Sequence, residues 1–274
     1  MQLGIFAKTF AVTGALPVLN AVRQAGYDVA QFNMACIGLP SMPESIPTAA
    51  IEKIATAIKV SGVALAAISG TYNMIHPNPA VRADGLARLA TIIRATTDMG
   101  TRLITLCTGT RDPNDQWKYH PDNSSKEAWR DLVEEMGKAV AMAEDWNVDL
   151  GIEPELANVV SSAEHARSLI DELKSPRLRI VLDPANLFEI ASPRDSQLII
   201  ARAVGLLGDR IAMAHAKDRR ADGAFVAAGS GVVDFPHFFE CLSSTGFDGP
   251  LVTHGLSAQE APAVAAFLRR VIAA

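Results

Sequence analysis

Residues 178–218 read LRIVLDPANLFEIASPRDSQLIIARAVGLLGDRIAMAHAKD. Two short apolar runs, Leu178–Pro184 and Ile211–Lys217, flank a longer segment whose apolar residues recur at helical spacing. Each run carries a polar, chemically capable residue near its end, Asp183 in the first and His215 in the second. The stretch therefore predicts strand, helix and strand, with both strands ending on one side of a sheet. Working outward, comparable runs occur at Leu3–Phe10, Val29–Ala35, Ala64–Tyr72, Arg102–Thr108, Val148–Pro154 and Pro250–Gly255, each followed by a helical pattern. That makes eight βα units in 274 residues, about 34 residues per unit.

Nearly apolar strands alternating with helices call for a parallel sheet covered on its outer side, either closed or open and doubly wound. Two features favour closure. The first βα turn, Lys8–Gly14, lacks the GxGxxG of a dinucleotide-binding half, and no P-loop occurs in the chain. Polar residues also recur at the C-terminal ends of successive strands, where a barrel carries its active site. With no Pro-, Gly- or Ser-rich linker in view, the expectation is a single (β/α)8 TIM barrel over residues 1–274.

Composition narrows the partners. Hydrophobic residues make up 49%, charged residues 20% and aromatic residues 6% of the chain, which excludes disordered, collagenous and disulfide-scaffold classes. A formal charge of −5 argues against a protein whose affinity rests on neutralising nucleic acid phosphates. The odd, scattered Cys36, Cys107 and Cys241 form neither a disulfide framework nor a CxxC motif, and a reducing cytoplasmic location is expected. No apolar run reaches the ~18 residues of a membrane span, and the first residues read as strand rather than as a secretory signal. Helix punctuation is ordinary: Asn78 is placed to cap a helix opening at Pro79, and Ser162 and Ser257 precede acidic residues at two further starts. The longest irregular connection, Gly109–Ser125, is long enough to suggest a functional lid.

The strand ends hold Glu153 in GIEPE, Asp183 in VLDPAN, His215 in AHAKD and His254 in VTHGL. They are separated by 30, 32 and 39 residues, each about one βα unit, so they fall at corresponding places on the fifth to eighth strands. If that face points inward, two carboxylates and two imidazoles converge on the barrel mouth. Such a mixed oxygen and nitrogen set suits Mn²⁺, Zn²⁺, Co²⁺ or Fe²⁺ better than Ca²⁺ or Mg²⁺.

These segments, in this order, resemble the xylose isomerase-like TIM barrels, the superfamily of sugar-phosphate isomerases and epimerases that also includes endonuclease IV. The resemblance covers essentially the whole chain. It is most specific in the EPE and HAKD segments, and SGTYNMIHPNPA (69–80) and LCTGTRDPNDQWKYHPDN (106–123) resemble uncharacterised members. It implies metal-ligand roles for Glu153, Asp183 and His215. In the ketose 3-epimerases the strand-eight ligand is a Glu that doubles as a base, and here that place holds His254. A second catalytic Glu of those enzymes would fall near Asn158–Val159 and is missing.

A bound metal would polarise a hydroxy-carbonyl compound, which serves isomerisation, epimerisation through an enediolate, and β-elimination alike. Glu155, two residues beyond Glu153 on the same strand face, is the candidate general base, with an exposed or supporting carboxylate as the plain alternative. Lys217 repeats that geometry after His215, as charge stabiliser, proton donor or salt-bridge partner; Asp218 could support the metal. Asn186, Asn73, His76, Arg111, Trp117 and His120 lie in mouth loops and are the candidate substrate contacts, although each also suits an ordinary loop role. Gly229–Gly231 is a faint phosphate-cradle signal. The leading expectation is a metal-dependent sugar isomerase or epimerase with a small-molecule carbohydrate substrate, forming a homo-oligomer by analogy. A dehydratase or keto-sugar lyase, a DNA-repair endonuclease and a non-catalytic binding barrel are the other classes. Acidic balance and only six histidines weigh against the endonuclease.

Overall fold

The computed structural model describes residues 1–273. Eight parallel strands close on themselves: β1 (Gln2–Phe6), β2 (Val29–Phe32), β3 (Ala64–Ser69), β4 (Leu103–Leu106), β5 (Asp149–Ile152), β6 (Leu178–Leu182), β7 (Ile211–Arg219) and β9 (Pro250–Thr253). Each strand pairs in parallel with the next, β7 pairs with β9, and β9 pairs with β1 to complete the ring. Eight helices surround it: α1 (Ala15–Gln24), α2 (Thr48–Ser61), α3 (Pro79–Thr96), α4 (Lys126–Asp145), α5 (Ala163–Leu173), α6 (Pro193–Leu207), α7 (Phe235–Ser244) and α8 (Ala261–Ile272). The expected closed barrel is the observed one.

Alternation along the strands divides the core into two. Residues facing outward, such as Leu150 and Ile152 on β5 or Ile180 and Leu182 on β6, join the large core beneath the helices. Inside the ring lies a smaller cluster that includes Val29, Ala67, Leu103, Val181, Met213 and Val252. It plugs the barrel and floors everything above it. Gly151 admits the bulk of its neighbours, since a Cβ there would stand 2.8 Å from Val181 Cγ2.

The helix starts follow from their caps. Asn78 Oδ1 accepts the Ala80 N–H at 2.9 Å, and Ser162 Oγ accepts that of His165 at 3.2 Å. Ser257 and Glu260 exchange reciprocal bonds ahead of α8. Several strands differ from expectation: β1 ends at Phe6 rather than Phe10 and β2 at Phe32 rather than Ala35, each followed by a 3-10 turn (Ala7–Thr9 and Met34–Ile37), and another runs long. The seventh strand does not stop at Lys217 but runs on to Arg219 and folds back as a hairpin with β8 (Phe225–Ala227), antiparallel. The turn is made by Asp222-Gly223, with Gly223 at φ +88°, a conformation that favours glycine. Among the described residues no helix is long and apolar enough to cross a membrane.

Candidate functional site

Above the apolar plug the inward positions turn polar. A cavity of about 420 Å³ opens at the C-terminal ends of the strands. Its wall is built from residues two apart, which is what strand alternation dictates: Phe6 and Lys8, Gln31 and Asn33, Ser69 and Thr71, Thr105 and Cys107, Glu153 and Glu155, His215 and Lys217.

Four donors meet on one side. Ligand-capable atoms of Glu153, Asp183, His215 and His254 all lie within 4.8 Å of one another. Asp183 is fully buried. Its Oδ2 faces His254 Nε2 at 3.0 Å, Lys217 Nζ at 3.2 Å and His215 Nδ1 at 3.9 Å. Burial alone would raise this carboxyl, but Lys217 and the two imidazoles outweigh it and hold Asp183 well below the usual carboxylate range. Burial likewise opposes the charge on Glu153, and His215 more than compensates, so its carboxyl is also lowered. Burial and the neighbouring His215 ring push His254 below the ordinary imidazole value. Ionised carboxylates and the lowered His254 ring suit coordination of a cation, and the mixed oxygen and nitrogen set fits a divalent transition metal.

Glu155 stands apart from the four. Burial, with Glu153's charge behind it, pushes its carboxyl up to about 7. Lys217 Nζ donates to Asn186 Oδ1 at 2.7 Å and lies 3.9 Å from the Phe225 ring centroid. Asn186 donates in turn to Glu153 Oε1 at 2.7 Å, so one amide links the cluster to the ammonium. Cys107 also lines the cavity, its thiol pushed up by burial and by Glu155.

The mouth loops divide the candidate contacts. Asn186 and Trp117 line the cavity, and Trp117 stands 52% exposed as a free aromatic face. Asn73 and His76 do not; they line a neighbouring cavity of about 400 Å³. The buried Asn73 grips the long loop, donating to Thr110 O at 2.8 Å and accepting from Thr110 N at 3.0 Å. His76 engages Pro113 O and the Asn78 N–H. Arg111 pairs with Asp131 at 2.7 Å and donates to Ile75 O, while His120 Nδ1 accepts from Asp122 N. Asn123 and Asn158 complete the seating of the loop: Asn123 Oδ1 accepts from Arg111 N at 2.7 Å and Asn158 Oδ1 from Gly109 N at 2.7 Å. Gly109–Ser125 is thus pinned at its base, with Thr110, Asp112 and Asn123 buried, while Pro113–Asp115, Trp117–Tyr119, Pro121, Asp122 and Ser124 are exposed.

Asp218 and the Gly229–Gly231 turn explain each other. Asp218 points away from the cavity and is fully buried, accepting N–H bonds from Arg219, Gly229, Gly231 and Val233 at 2.8, 3.1, 2.8 and 3.0 Å. The glycine turn does cradle an anion, and the anion is the chain's own carboxylate.

Gln31, Ser69 and Thr105 were not singled out by sequence. Their signal was position alone: each sits inward near a strand's C-terminal end, two residues before another cavity residue. Gln31 Nε2 donates to Thr105 Oγ1 at 3.1 Å and Ser69 Oγ at 3.3 Å, and its Oε1 lies 2.9 Å from His215 Nε2.

Eight parallel strands with a mixed carboxylate and imidazole cluster at their C-terminal mouth define a TIM barrel with a candidate metal centre. The chain belongs to the xylose isomerase-like TIM barrel family, whose model matches residues 19–271. It is 29% identical over 199 residues, 72% of this chain, to the L-ribulose-5-phosphate 3-epimerase UlaE of Shigella flexneri serotype 5b (strain 8401). The match spans 64% of that relative's length, just under two thirds. Among solved structures, 3-keto-D-glucoside 4-epimerase YcjR from E. coli superposes with a TM-score of 0.76 at 18% identity, covering 98% of this chain and 99% of that one. D-psicose 3-epimerase from Clostridium cellulolyticum H10 superposes with a TM-score of 0.73 at 16% identity, covering 99% of each chain. These two likenesses show the shared fold.

Proposed function

We propose that the protein is a divalent-metal-dependent isomerase or epimerase of a small sugar or sugar derivative. The observation that carries this reading is a protonatable carboxyl, Glu155, set beside the four-donor cluster in one cavity. Similarity to relatives named as sugar epimerases supports it.

Glu153, Asp183, His215 and His254 would hold the ion, with Mn²⁺, Zn²⁺, Co²⁺ or Fe²⁺ as the candidates. When bound, it supplies Lewis acidity that polarises a substrate carbonyl. The remaining work falls to the chain. Glu155, with its carboxyl near neutrality, can take a proton from the carbon beside that carbonyl and return it. Lys217, fixed by Asn186 and Asp183, offers positive charge to an oxygen that gains electron density. Trp117 provides an apolar wall for a sugar ring, and Ser69, Thr71 and Asn33 present hydroxyl and amide groups to its polar edge.

His254 stands at the strand-eight place where, by the resemblance, ketose 3-epimerases carry a glutamate that doubles as a base, and Glu155 is the one carboxylate lining the cavity outside the donor set. The test is exchange of substrate C–H with D₂O across ketoses, aldoses and keto-acids, alongside metal analysis of the purified protein. Metal retention with deuterium incorporation and a rearranged or inverted product is the expected result. Loss of water from the product instead would move the reading to a dehydratase. Absence of both metal and exchange would overturn it.

A further inference from the structure

We infer that Gln31 is a positioning residue for the metal centre: its carbonyl holds the His215 ring in the one tautomer able to bind a cation. This rests on the metal reading of the four-donor cluster. The ring is nearly inaccessible, 3% exposed, so each of its nitrogens must be satisfied from within. Nδ1 faces the carboxylates, 3.3 Å from Glu153 Oε1 and 3.9 Å from Asp183 Oδ2. For Nδ1 to offer a lone pair to an ion, the ring's remaining proton must sit on Nε2 and must find an acceptor. Gln31 Oε1 stands there at 2.9 Å.

An amide can be turned over, and the consequence is specific. With its NH₂ group toward the ring, Gln31 would donate to Nε2 and drive the proton to Nδ1, where it would bond Glu153 and leave no lone pair for a cation. In the arrangement observed, two hydroxyls behind Gln31 take up the amide hydrogens and leave its carbonyl toward the ring. Ser69 Oγ on β3 and Thr105 Oγ1 on β4 each accept one of the amide hydrogens. Three neutral strand residues thereby set the state of a ligand across the barrel.

The experiment measures affinity for Mn²⁺ and Zn²⁺ by chelator competition, without turnover. Gln31→Met, which keeps bulk but removes the acceptor, should weaken binding by about 10- to 100-fold. Gln31→Glu, which keeps an acceptor, should stay within a few-fold of wild type. A Ser69→Ala/Thr105→Val double variant, which frees the amide to turn, should fall between them. Melting of the metal-free variants separates a general packing defect. Gln31→Met with a lower melting temperature and unchanged affinity would overturn the inference. Imidazole ¹⁵N spectra of the Zn²⁺-loaded wild type give a readout that needs no variant: a proton on Nε2 of His215 is expected, and one on Nδ1 overturns the inference. A wild type that binds no metal sinks the metal reading and this inference together. A wild type that binds and is matched by Gln31→Met sinks the inference alone.

Discussion

The two halves of the barrel mouth are built from the same strand alternation and do different work. The half formed by β5, β6, β7 and β9 carries the ionisable residues Glu153, Asp183, His215 and His254, packed against Lys217. The half formed by β1 to β4 carries the non-ionisable Phe6, Gln31, Ser69 and Thr105, with Lys8 exposed at its rim and the thiol of Cys107 buried. One half concentrates charge where water is excluded, and the other satisfies its polar groups with neutral hydrogen bonds. The contrast teaches that charge at the strand ends advertises a site, while the groups that orient it can look like ordinary strand residues.

The largest break should come in the charged half. Asp183→Ala leaves Lys217 and two imidazoles without their shared carboxylate, and removing one member of a buried ion pair costs about 3–5 kcal/mol. Urea denaturation should show that loss, and bound metal and C–H exchange should disappear with it. The pH dependence has a definite sign. The folded carboxyl is held below its unfolded value, so its stabilisation is present above about pH 4 and fades as pH falls. In metal-free protein the wild type and Asp183→Ala should therefore converge in acid.

Glu155→Gln sharpens the contrast by separating chemistry from metal retention. Exchange should drop by about 10²–10⁴-fold with metal content unchanged. In the wild type, kcat/KM should rise with pH through about 7, as the base loses its proton. Stability runs the other way. Because the folded carboxyl titrates at about 7, above its unfolded value, the wild type loses stability from pH about 4 up to 7. Metal-free Glu155→Gln should melt higher than wild type at pH 8 and equal to it near pH 3.

Smaller effects belong to the loops of the neutral half. Asn73→Ala unfastens the long loop and leaves the buried N–H and C=O of Thr110 without their partner, a cost of about 1–3 kcal/mol that thermal melting would detect. Trp117→Ala should change stability by less than about 0.5 kcal/mol, because the ring is half exposed. A rise in KM below tenfold, with kcat kept, would mark it as a wall for substrate.

The parts legible in the sequence share one property, a repeat. Eight apolar runs announced the strands, and the even spacing of Glu153, Asp183, His215 and His254 placed them at one level of the barrel. Asn73, His76, Arg111 and His120 were legible as polar loop residues but not in their partners, since a loop's hydrogen bonds depend on which turns face each other after closure. Arg111 meets Asp131 on α4, and no local period announces that pair. The β7–β8 hairpin did leave a mark, the Asp222-Gly223 turn, overshadowed by the helical pattern beyond it. Gln31 left almost none, because a lone glutamine in a buried strand becomes meaningful only when His215 arrives beside it.

Asp218 and Gln31 finally differ in how the chain must travel to make their contacts. The N–H groups around Asp218 come from at most 15 residues away, so that corner of the wall closes locally and cheaply. Gln31 and His215 are 184 residues apart in sequence and meet only when the second and seventh βα units have been brought together. The hairpin wall can form while the chain is still folding, whereas the bond between Gln31 and His215 is a certificate that the ring has closed.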